Sequence, residues 1–213
     1  METSRKPGRP RDPALESRRR TEILAIAATV FAEAGFAAAD VQVIADRVGV
    51  GKGTIYRYFP TKEALFLAAV ENGLAELRAE MDTILADPQA DPLDQVRLSI
   101  RGYLGFFHRR PEMAELFIQE RAAFKAHHRP LYFAVKDDDK RCQHAALFER
   151  LTAANLIRPM PAERFFAVIG DLLYGTILTN LLTGRPADPD VQTRDVLDLI
   201  FHGILPVDSR SKR

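Results

Sequence analysis

The sequence predicts an all-α protein, and three observations carry that expectation. Apolar residues recur at spacings of three and four along nearly the whole chain. No segment shows the strict alternation of a half-buried strand. The breaks between periodic runs are marked by Asp-Pro, Pro and Gly, the residues that start and stop helices. With 213 residues, 46% of them hydrophobic, the chain can bury a core in one domain or in two small ones.

Residues 1–11, METSRKPGRPR, lack apolar periodicity and read as a flexible basic arm. Asp12 and Pro13 read as an N-cap and a first helical position. Ile23, Ala27, Val30, Phe31 and Ala34 form an amphipathic stripe that Gly35 ends. Asp40 can cap a short second helix with Val41, Ile44, Ala45 and Val48 on one side, and Gly49 breaks it. A third short helix runs from about Gly51 to Phe59, where Pro60 stops it. Thr61 caps a long fourth helix carrying Leu65, Ala68, Ala69 and Leu77. Helical segments follow near 61–86, 92–109, 111–125, 129–155, 161–183 and 189–204. The organisation expected is an arm (1–11), a three-helix domain (12–60), a larger helical domain (61–205) and a polar, disordered tail (206–213).

The net charge is only +1, but residues 1–20 hold seven Lys/Arg against three Asp/Glu. A basic start on a near-neutral body suits local attraction to a polyanion. A single cysteine, Cys142, excludes an internal disulfide and fits a reducing compartment. No apolar run is expected to approach the length of a membrane span, and the first residues lack the apolar stretch of a signal peptide, so a cytoplasmic protein is expected. The five histidines show no metal-ligand spacing, and no phosphate-binding loop or nucleophile motif is present. Neither an enzyme nor a metal or other cofactor is expected.

Residues 49–59, GVGKGTIYRYF, are the most informative stretch. The small Ala45 lets two helices approach, Gly49 takes a backbone conformation other residues resist, and Val48, Val50 and Ile55 fill the wedge between them. This is the pattern of a helix-turn-helix, in which the turn fixes how the next helix is presented. At about 100° per residue, Ile55 and Phe59 share the inner face, and Gly53 and Arg57 fall opposite. Such a helix suits a DNA major groove. Gly53 has no side chain to hold it off the base edges, and the Arg57 fork can donate two hydrogen bonds to guanine. Thr54 can touch a thymine methyl or a phosphate. Lys52, Tyr56 and Tyr58 are placed for phosphates along the groove walls. Lys62, in the first turn of the fourth helix, opposes the helix dipole, and an outside phosphate would remove that conflict. In the arm, Lys6-Pro7-Gly8-Arg9-Pro10-Arg11 resembles an AT-hook core. Arg5, Lys6, Arg9 and Arg11 are the residues that would enter a minor groove.

The run from Ile23 to Phe66 resembles the DNA-binding domain of the tetracycline-repressor (TetR) family of bacterial transcription regulators. The matching residues include Phe31-Ala32-Glu33-Ala34-Gly35-Phe36, Ile44-Ala45, Val48-Gly49-Val50, Lys52 to Phe59 and Lys62-Glu63-Ala64-Leu65. The resemblance implies a homodimer of all-α subunits, a palindromic double-stranded DNA operator and a C-terminal regulatory domain that often binds a small molecule. Three positions depart from the pattern. Ala39 stands where a hydroxyl residue is usual, Val43 where an acid is frequent, and Gly51 where a serine caps the recognition helix.

Ten of the thirteen phenylalanines follow Pro60. Most belong to a core, but bulky rings in a small bundle can leave a cavity between helices. Tyr103, Phe107, Phe117, Phe124 and Tyr132 are the expected lining, with His108 and Arg121 as polar contacts. The 161–183 segment is apolar on more than one face, so it must be covered on two sides. Phe165, Ile169, Leu172, Leu173 and Ile177, joined by Leu197 and Ile200 of the last segment, are the expected interface of an isologous dimer that would read a palindrome. The resulting expectation is a homodimeric repressor released by a small apolar or amphipathic effector. A ligand-independent activator or constitutive repressor is the alternative, and an enzyme or carrier the more distant one.

Overall fold

The structure, a computed structural model, describes residues 13–124, 131, 138–185 and 188–203, without the side chains of 138–143. Among these residues there are nine helices and no strand: α1 (Pro13–Ala38), α2 (Val41–Val48), α3 (Lys52–Tyr58), α4 (Lys62–Leu85), α5 (Pro92–Arg109), α6 (Pro111–Ala123), α7 (Asp138–Ala153), α8 (Ala162–Thr183) and α9 (Pro189–His202). The all-α expectation holds. The first part of the expected 129–155 segment lies outside the described residues, as do Asp12, the arm and the 206–213 tail.

The chain divides into two compact units, one ending at Asn72 and the other beginning at Gly73. In the first, α1 buries Ile23, Leu24, Ala27, Val30 and Phe31, but the expected stripe residue Ala34 is exposed. Gly35 (φ 77°, ψ 150°) ends the regular part of α1, as its lack of a Cβ allows. Phe31, Phe36 and Phe66 then close around one another, with ring centroids 5.1 Å apart for the two edge-on pairs involving Phe66. Edge-on pairs of this kind add roughly 0.5–1.5 kcal/mol each beyond the area they bury.

In the second unit, α5 and α6 supply Val96, Ile100, Leu104, Phe106, Phe107, Met113, Leu116 and Phe117 to the core. Gly73 permits the closest approach there. A Cβ at that position would meet the Met113 side chain at 2.2 Å. Gln95 is buried and fully used. Its amide donates to Asp87 O (2.8 Å) and Ile84 O (3.3 Å), and its oxygen accepts from Arg150 Nη1 (2.6 Å). Arg150 also donates to Ala90 O, so the α4–α5 connection is pinned to α7. At the α5–α6 junction Arg110 donates to Glu76 and Glu112, while Arg109 donates to Glu80 at 2.7 Å.

One sequence expectation is corrected here. By length and composition alone, α1 and α8 are both long and apolar enough to cross a membrane. The charges of α1 cluster in its first turns, which hid the apolar run behind them. In α8 only 17% of the apolar window is buried by this chain. Val168 and Leu182 are 60% and 73% exposed, so α8 retains a large apolar face that its own fold leaves uncovered.

Candidate nucleic-acid interface

The geometry of α2, α3 and their turn follows from a few residues. Asp40 is extended and accepts the Gln42 N–H at 2.8 Å, capping α2. Gly49 (φ 75°, ψ 37°) ends it in the left-handed region, and Val50 N donates to Ala45 O at 2.9 Å. Gly51 precedes α3 without a side-chain cap. Ile55 and Phe59 are buried at 0% and 3% exposure and seat α3 on the core. Arg47 of α2 donates to Glu33 of α1 at 2.7 Å, which bolts the motif to its support.

Gly53 and Arg57 lie exposed on the opposite face, and Tyr56 beside them is 40% exposed. Thr54, Lys52 and Tyr58 are half-buried at the flanks. A Cβ added at Gly53 would meet nothing within 4 Å, so no contact inside the chain requires glycine there. The Arg57 guanidinium carbon lies 5.4 Å from the Tyr58 ring, a stacking contact that limits how far the fork can swing.

Two of the lysines read as phosphate contacts have partners of their own. Lys52 Nζ donates to Asp40 Oδ1 at 3.0 Å, which raises the lysine's pKa. The Asp40 carboxyl is held below its usual range, first by the Gln42 N–H and then by Lys52. Lys62 Nζ donates to Ala37 O (2.9 Å) and Ala39 O (2.7 Å) and lies 5.2 Å from the Phe36 ring. The conflict with the α4 dipole, offered as a reason for an outside phosphate, is therefore met by two carbonyls at the end of α1. Ala39 itself is 4% exposed, so its side chain belongs to the core.

Sequence reasoning treated Arg18, Arg19 and Arg20 only as net charge. All three are exposed, and the Arg20 guanidinium carbon lies 5.3 Å from the Phe59 ring. The basic first turns of α1 are thereby brought beside the end of α3. The pairing of Arg20 with Phe59, 39 positions apart, leaves no local signal in the sequence. Arg5, Lys6, Arg9 and Arg11 lie outside the described residues.

The second unit holds a cavity of about 310 Å³ between α5, the start of α6 and the end of α8. Of the expected lining, Phe107 and His108 face it. Tyr103 and Phe117 instead pack on Phe107, with centroids 5.1 and 5.8 Å away, and Phe124 is buried. Arg121 is exposed and Tyr132 lies outside the described residues. Leu104, Ala114, Ile177 and Leu181 join Phe107 and His108 in lining this cavity. Among the expected interface residues, Phe165, Leu173 and Ile177 are buried by their own chain, which leaves little of them for a partner. Ile169, Leu172, Leu197 and Ile200 are half-buried.

Residues 23–69 match the model of the bacterial regulatory proteins of the tetR family. The chain is 40% identical over 75 residues to the HTH-type transcriptional repressor KstR2 of Rhodococcus jostii, covering 35% of this chain and 37% of that one. It thus spans little more than a third of that relative's length. Among solved structures, the TetR family transcriptional regulator PfmR from Thermus thermophilus superposes with a TM-score of 0.67 at 23% identity, over 86% of this chain and 96% of the other. The regulator FadR from Bacillus subtilis, solved with stearoyl-CoA, superposes with a TM-score of 0.65 at 19% identity, over 86% and 98%. The shared fold covers most of this chain, and the family match lies on residues 23–69. The likeness to the tetR family of bacterial regulatory proteins thus rests on residues 23–69, and the likeness of the remainder is one of fold.

Proposed function

We propose that this chain is a sequence-specific transcriptional repressor, cytoplasmic and homodimeric, that leaves its operator when a small apolar or amphipathic molecule occupies the second unit. One observation carries the DNA-reading role: Gly53 and Arg57 share the exposed face of α3, directly opposite the buried Ile55 and Phe59. A helix braced from behind, bare at one position and armed with a planar fork one turn on, is suited to base edges in a major groove. Thr54 joins them as a base contact. Tyr56, Tyr58 and Lys52 grip the flanking phosphates, Lys52 by exchanging Asp40 for a phosphate. Lys62 keeps its place at the α1 carbonyls and can offer its remaining N–H to the backbone. Arg5, Lys6, Arg9 and Arg11 of the arm are proposed for the adjacent minor groove.

The uncovered apolar face of α8 supports association with a second copy, with Ile169, Leu172, Leu197 and Ile200 bordering the contact. The stearoyl-CoA bound to FadR belongs to that protein. For this chain the effector reading rests on the 310 Å³ cavity. A coupling of about 1–3 kcal/mol between cavity and operator would weaken DNA binding roughly 5- to 150-fold. The test is a gel shift with the DNA upstream of the chain's own gene. Retention at nanomolar protein, competed by that DNA and not by random duplex, is expected. Equal competition by both would remove the sequence-specific reading.

A further inference from the structure

We infer that the cavity of the second unit takes an amphipathic anion, a compact apolar body ending in one carboxylate. The inference deepens the effector reading above and rests on it. The floor is apolar, formed by the buried side chains of Leu104, Phe107, Ala114 and Ile177. Three polar side chains reach its edge: His108, Asn180 and Arg185. No acid lines it.

The three edge groups are not equivalent. Asn180 is already used, since its amide and that of Gln192 donate to each other at 3.0 and 2.9 Å. The nearby Arg109 and Arg110 are held by Glu80, Glu76 and Glu112. Arg185 and His108 form no ion pair or hydrogen bond among the described residues. Among the described residues the lining therefore holds one arginine and no carboxylate. Gly184, left-handed at φ 62°, ends α8 and turns the chain so that Arg185 arrives at the rim. A guanidinium presents a planar fork that fits a carboxylate with two parallel hydrogen bonds, and the apolar floor lowers the local dielectric that such a pair feels. A cation would meet Arg185 with like charge. A neutral apolar molecule would fill the floor and leave the fork unused. The volume is at the small end for ligand sites, roughly 300–1,000 Å³, so a body of modest size fits.

The experiment is calorimetry of the full chain with decanoate, decan-1-ol and decylamine, each below its aggregation limit. Decanoate is expected to bind at least ten-fold more tightly than decan-1-ol, and decylamine not at all. Arg185→Gln, an exposed position, should weaken decanoate at least ten-fold and change decan-1-ol less than two-fold. Equal binding of acid and alcohol, no binding of decanoate, or an Arg185→Gln variant that keeps the full preference would each overturn the inference. Operator retention measured on the same protein separates the two levels. Decanoate that binds as expected yet leaves the operator complex intact would sink ligand release and leave the anion site standing. A chain that prefers decan-1-ol and leaves its operator on binding it would sink the anion site and leave ligand release standing.

Discussion

Asp40 caps α2 and, through the same carboxylate, holds Lys52 of α3 at 3.0 Å. One acidic group thus fixes the start of the first helix of the motif and the start of the second.

That arrangement makes the motif acid-sensitive in a defined direction. The Asp40 carboxyl is held below its ordinary value in the folded chain, so folding favours its ionised form. Its contribution is complete above the unfolded pKa of about 4 and is lost as pH falls through the lower folded value. Thermal unfolding followed between pH 7 and pH 3 should show this loss, and Asp40→Asn should flatten that part of the profile while keeping the cap. The same substitution frees Lys52, so affinity should rise on all duplexes alike. An Asp40→Asn variant with unaltered acid sensitivity and unaltered DNA affinity would contradict the shared role.

Gly53→Ala separates folding from DNA contact. The site is open and helical, so the methyl group should raise stability by up to about 1 kcal/mol. If α3 lies against base edges, the same methyl group should weaken operator binding while the melting temperature rises. Unchanged affinity would show that α3 does not approach the bases closely at this position.

Lys62→Met tests the carbonyl contacts. Removing two hydrogen bonds to Ala37 O and Ala39 O should destabilise the first unit by about 1–2 kcal/mol, read by denaturant unfolding. The salt dependence of DNA binding should change by less than the slope of about one expected for losing a full phosphate contact. An unchanged stability with a full unit lost from the slope would reinstate the phosphate as its main partner.

The exposed face of α8 predicts association. Val168 is 60% exposed in the single chain, so Val168→Glu should leave helicity intact. Sedimentation should report twice the chain mass for the parent protein and a shift toward single chains for the variant. A parent protein that sediments as one chain would remove the dimer and with it the palindrome.

The helix-turn-helix was readable from the sequence because its determinants are local. Gly49 must take a positive φ, Asp40 must cap, and Ile55 and Phe59 are four residues apart on one face. What the sequence hid are pairings between distant positions. Lys62 finds carbonyls more than twenty residues back, and Arg20 finds Phe59, so neither shows in a helical wheel. The lining of a cavity is hard to read for a related reason. Periodicity says which rings turn inward, but whether Tyr103, Phe107 and Phe117 line a space or fill it depends on their mutual packing, with centroids 5–6 Å apart. Composition also failed to distinguish Ile177, buried by its own chain, from Val168 on the same helix, left exposed.

The face carrying Gly53 and Arg57 is most directly tested by selecting bound sequences from a random duplex library with the parent chain and with Arg57→Ala in parallel. The parent should enrich a palindrome, and the variant should lose preference at one base pair in each half-site, with a cost of about 1–3 kcal/mol on the parent's best site. Identical enriched sequences from both proteins, or no palindrome from the parent, would contradict the account.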